Sequence, residues 1–91
     1  MQYRKKPIVI EAFRAGDLLY AAGHDWKALP KYVADAYEQG IFIFHNNHIT
    51  IKTLEGDHRA EPFDMVIQGV KGEFYPCKPD IFAATYERVV D

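Results

Sequence analysis

The chain has 91 residues, among them six tyrosines, six phenylalanines and one tryptophan, and a formal net charge of −2 with histidines neutral. That length makes one domain spanning residues 1–91, and the slightly acidic balance excludes a general nucleic-acid binder, which presents a strongly basic face. A single cysteine cannot form an internal disulfide and no apolar run nears the ~18 residues of a membrane span, so the reading is a cytoplasmic protein without membrane contact.

A domain this small buries only about 60–65% of the surface its unfolded chain exposes. Aromatic side chains, at roughly 150–250 Å² each, are the expected compensation. Self-association is another, so a homo-oligomer is expected.

In chain order, Pro7–Phe13 is rich in β-branched residues and predicts a strand. Ile8, Ile10 and Ala12 share one face, Val9, Glu11 and Phe13 the other, and Arg4, Lys5 and Lys6 form a basic lead-in. Arg14–Lys27 mixes turn chemistry at Gly16-Asp17 and Gly23-His24-Asp25 with a short helical turn at Leu18–Tyr20. A clearer helix follows, with Pro30 in its first turn, Gly40 as its stop, and Leu29, Val33, Ala36 and Tyr37 on one stripe beside Trp26. Ile41–His45 and His48–Leu54 flank Asn46-Asn47, and because asparagine tolerates positive φ a tight hairpin is predicted. A second turn at Glu55-Gly56-Asp57 precedes His58–Ala60. Strands are then expected at Met65–Gln68 and Glu73–Tyr75, joined by a turn from Gly69 to Gly72, and a final helical turn in Asp80–Arg88.

Several of these segments together resemble a family of small proteins encoded by bacteriophages and prophages. The matching residues are Tyr3–Pro7, Ile10–Phe13, Ile51–Gly56, and above all Val70-Lys-Gly-Glu-Phe-Tyr-Pro-Cys-Lys-Pro-Asp-Ile-Phe82 with Thr85–Glu87. Related proteins carry a Pro-Gly-Asp-Tyr/Trp turn before the same stretch. Here it reads Pro62-Phe63-Asp64-Met65, with Phe63 where glycine is usual. The resemblance implies a protein acting in the cytoplasm of a bacterial host. It implies no chemistry, since the family is one of unknown function.

The residues themselves offer three constellations. His45 and His48 flank the hairpin turn, with His58 on the adjoining strand, but no carboxylate lies at ligand spacing; the expectation is ordinary sheet histidines and no metal. Cys77 beside Lys78 could be an activated thiol, yet no companion histidine motif accompanies it, so no catalytic residue is assigned. Lys78-Pro79-Asp80 opens a helical turn whose free N–H groups attract anions. The candidate ligand-binding set gathers there: Arg4, Lys5, Lys6, Lys71 and Lys78 for charge, Tyr75 for stacking, and Glu73 and Asp80. The ordinary alternatives are Asp80 capping that turn with Lys78 solvated, and Glu73 paired with Lys5 or Lys6 across strands.

These readings predict a small α+β domain: a bent antiparallel sheet or partly open barrel, one covering helix and a short C-terminal helical turn. The functional expectation is a non-enzymatic phage accessory protein, without cofactor, that binds a small anionic or nucleotide-like ligand and so sequesters a host immune signal. The alternatives are a module binding a host or virion protein, and a hydrolase using Cys77 or a histidine.

Overall fold

A computed structural model describes residues 1–4 and 6–90, so Lys5 lies outside the described residues. The fold is α+β: two three-stranded antiparallel sheets, not closed into a barrel, with helices and a short C-terminal helix. The first strand, β1, is Glu11–Arg14, shorter than the Pro7–Phe13 expected. Its partner sets this length. Glu11 stands opposite Gln68, and the chain beyond Gln68 turns away at Gly69, whose N–H bonds the Glu73 carbonyl (2.7 Å). Residues before Glu11 have no strand to meet, and Val9 is left 75% exposed. Phe13, not Ala12, points to the main core, where its ring packs on Tyr32 with centroids 5.7 Å apart.

The turn expected near Leu18 is a ten-residue helix, α1 (Ala15–His24), burying Ala15, Leu18 and Ala21. Its start carries no local capping side chain; the cap arrives from fifty residues away. Ala15 N–H donates to the Asp64 carbonyl (2.9 Å) and Gly16 N–H to that of Pro62 (2.8 Å), satisfying two donors that a helix start leaves free. Gly16 fits because a β-carbon there would lie 3.0 Å from the Pro62 oxygen.

A 3₁₀ turn at Trp26–Ala28 leads to α2 (Lys31–Glu38), flanked by Pro30 and ended by Gly40 at φ +78°. Leu29, Val33 and Ala36 are buried as the stripe predicts. Tyr37 is half exposed and packs with Trp26 and Phe44 (centroids 5.0 and 5.7 Å).

Strands β2 (Phe42–Phe44), β3 (Ile49–Thr53) and β4 (Gly56–Ala60) form the second sheet in the order β2-β3-β4. The Asn46-Asn47 hairpin is present, closed by His45 N–H on the His48 carbonyl (2.9 Å). Its turn does not use positive φ: among the described residues only glycines adopt it. The following turn is centred one residue earlier than expected, at Leu54-Glu55, with Gly56 at φ +117° opening β4.

Strands β5 (Met65–Gln68) and β6 (Phe74–Cys77) complete the first sheet in the order β1-β5-β6. Proline inside β6 is tolerated because the Gly69–Glu73 bond fixes which pairs share hydrogen bonds. Tyr75 and Cys77 bond toward β5, while Phe74 and Pro76 point their backbone outward. The final helix, α3, is Pro79–Thr85, with Pro79 in its first turn. The core lies between the sheets and under α1 and α2, where Phe42 meets Phe74 edge-on at 4.7 Å. No helix among the described residues is long and apolar enough to cross a membrane.

Candidate functional site

The residues from Gly72 to Cys77 have two different surroundings. The first part borders an open cleft of about 680 Å³. One wall is the β3–β4 hairpin, through Lys52, Thr53, Leu54, Glu55 and His58. The other runs along the outer edge of β6, from Gly72 to Pro76, with Ile41 at the base. Residues of both parities of β6 reach the cleft, as expected for a groove beside a strand edge rather than over a sheet face. The outward-facing backbone of Phe74 therefore borders it, one N–H and one C=O not spent on β5.

Most of the wall is apolar, and the polar groups are few. His58 sits opposite Ile51, on the inward face of its sheet, half-buried. Its ring makes no side-chain hydrogen bond among the described residues, so both nitrogens are free for a ligand. Glu73 folds its carboxylate over Gly69, where any side chain would collide with it. Tyr75 has its phenol pushed up to about 12, chiefly by burial, then by the neighbouring Tyr86 phenol and by the Tyr86, Glu73 and Cys77 charges. It is a protonated donor at neutral pH. The lining carries one fixed positive charge, Lys52, against two negative ones, Glu55 and Glu73.

The second part is built for structure. Asp64, 1% exposed, accepts the Glu61 N–H (2.8 Å), and its two oxygens face the Lys78 ammonium, each at 3.4 Å. That ammonium also lies 5.6 Å from the centre of the Phe63 ring. Asp64 N–H closes the Pro62-Phe63 turn on the Glu61 carbonyl (2.9 Å), and no positive φ is needed, so phenylalanine replaces glycine without strain. At Lys78-Pro79-Asp80 the half-exposed Lys78 ammonium faces the Asp64 carboxylate rather than standing unpaired. Asp80 lies exposed in the first turn of α3.

Of the sequence-predicted set, the cleft gathers Glu73 and Tyr75. Lys71 is exposed in the Gly69–Gly72 turn, Arg4 and Lys6 lie exposed ahead of β1, and none of the three borders the cleft. Glu73 makes no ion pair with Lys6; the ion pairs among the described residues are Lys31–Asp35, Arg59–Glu61 and Lys78–Asp64. Sequence reasoning missed Lys52 and His58. The signal for His58 was present: Ala60 is a natural inward residue, and two positions earlier on the same strand the same face must hold His58.

Cys77 is half-buried, and its thiol is pushed up by burial and by the Asp64 and Asp80 carboxylates. Lys78 does not activate it, because its ammonium faces Asp64. His45 and His48 stack with centroids 4.1 Å apart, and each bonds a neighbour, Thr50 and Asn47 respectively. His48 is held below its ordinary value by desolvation, Arg59 and His45. No group of three His, Cys, Asp or Glu side chains among the described residues is placed to hold a metal. The chain matches no family model, no curated protein and no solved structure.

Proposed function

We propose that the protein binds a nucleotide-like small molecule in the cleft between the β3–β4 hairpin and β6, without turning it over. The observation that carries this reading is the meeting of Tyr75 with Lys52 and His58 around one open space, beside the backbone of the buried Phe74. Aromatic side chains offer a flat ring a stacking surface, worth about 1–3 kcal/mol per base in single-stranded nucleic-acid sites. Lys52 provides a cation for a phosphate, and the His58 ring adds a hydrogen-bonding partner. Two fixed carboxylates in the same lining disfavour a ligand that is merely anionic, and favour one whose ring carries hydrogen-bond donors.

Chemistry on the ligand finds little support in the same geometry. The thiol nearest the site is held in its protonated form, and His58 has no carboxylate partner to orient it as a base. Retention without turnover fits a phage-encoded accessory protein that withdraws a host nucleotide signal from solution, the lineage suggested by the Val70–Phe82 motif.

The test is titration calorimetry against nucleosides and their mono- and cyclic phosphates, with the ligand recovered afterwards by heating. The expected result is binding that strengthens on phosphorylation and returns the ligand intact. Absence of binding across the panel refutes the reading, and recovery of altered ligand moves it to enzymology.

A further inference from the structure

A second, smaller cavity of about 220 Å³ adjoins the cleft. The two share Ile41, Gly72 and the buried Phe74 as a common border, so a ligand at that border can reach both. Gly72, at φ +84°, has no atom within 4 Å of where a β-carbon would stand. The cavities differ in chemistry. The small one is bordered by Tyr32, Asp35, Gln39 and Gln68 and carries no cation in its lining.

The hydrogen-bonding capacity of these groups is largely unspent. Neither the Gln39 nor the Gln68 carboxamide makes a side-chain hydrogen bond among the described residues, nor does the Tyr32 phenol. Gln68 is half-buried directly opposite Phe74 on β5, and Gln39 stands at the end of α2. Asp35 is already engaged by Lys31 at 2.9 Å. A carboxamide presents a donor and an acceptor side by side, the pattern that matches the edge of a nucleobase. A phosphate finds no cation there. Lys52, on the other side of the shared wall, bonds the Ile41 carbonyl through its backbone N–H (2.8 Å) and lines only the larger cleft.

Resting on the nucleotide reading above, we infer that the small cavity is its base-specificity pocket. The ring lies at the Ile41-Gly72-Phe74 border with its donor–acceptor edge turned to Gln39 and Gln68, and the phosphate end points back to Lys52 and His58. Gln39 and Gln68 are then the residues that choose the base.

The experiment is calorimetry of the four ribonucleoside monophosphates on the wild-type chain and on Gln39→Leu, Gln68→Leu and the double variant, each checked for fold by circular dichroism. Gln39 is exposed, so its single variant keeps the question open if Gln68→Leu folds poorly. The wild type is expected to prefer one base by roughly tenfold or more, about the yield of one or two well-placed hydrogen bonds. The double variant is expected to bind all four within about twofold of one another, while keeping the gain from phosphate over nucleoside. Undiminished base preference in the variants, or none in a wild type that still binds the monophosphates, overturns the pocket and leaves the nucleotide reading standing. Failure of the wild type to bind any of them overturns both.

Discussion

Two neighbouring parts of one strand and its sequel, Glu73–Tyr75 and Cys77–Asp80, share a motif and differ in every physical respect. The later part is tied down: a buried carboxylate, Asp64, holds Lys78 from one side and the Pro62-Phe63 turn from the other. The earlier part borders open space, with polar groups that the protein leaves uncommitted. A charged residue within a dense motif is therefore not by that fact a ligand contact. The lysine that looked most like an anion binder is half of an ion pair, and the open space lies beside Glu73 and Tyr75.

The sharpest way to break this division is at Asp64. Its replacement by alanine leaves the Glu61 N–H and the Lys78 ammonium without their acceptor and loosens the loop that caps α1. The expected loss is about 2–3 kcal/mol, a fall in Tm of roughly 10–20 °C for a domain of this size. Asp64→Asn keeps an oxygen for the Glu61 N–H and loses about 1 kcal/mol. The Lys78 ammonium is half exposed, so its own share is discounted for solvent. Thermal melts of the two variants check this, and an unchanged Tm in Asp64→Ala would remove the structural role assigned to this part.

A smaller effect sharpens the other side. Tyr75 is wedged between the cleft and Tyr86, with its phenol pushed up to about 12. A phenol near 10 in the unfolded chain and about 12 in the folded one favours the folded state below pH ~10, an advantage that disappears as pH rises from about 10 to about 12. The difference in tyrosinate absorbance between wild type and Tyr75→Phe is expected to titrate near the upper end of that window. A midpoint near 10 would mean that the ring stands free in solvent.

The sequence foretold local features well and remote ones poorly. Helix α2 was legible because Pro30, the Leu29-Val33-Ala36 stripe and Gly40 all lie within it or within two residues of its ends. The β2–β3 and β5–β6 hairpins were legible for the same reason. Helix α1 was not, because its cap comes from Pro62 and Asp64 while Gly16 and Gly23 argue locally against a helix. Pro7–Ile10 reads as strand and finds no partner, since β5 ends at Gln68. In the candidate site, Glu73 and Tyr75 come from the motif; the alternation of β4 marks His58 as inward, but that His58 and Lys52 meet β6 depends on the packing of the two sheets.

The central claim is that the signature segment binds ligand through its first part and holds the fold through its second. Nucleotide titration of Tyr75→Ala and Lys78→Ala side by side tests it most directly. Tyr75→Ala is expected to weaken binding by at least about tenfold, the equivalent of losing one stacking contact. The account predicts that Lys78→Ala lowers the Tm modestly and leaves affinity within about twofold of wild type. Loss of binding in Lys78→Ala with full binding in Tyr75→Ala would contradict it.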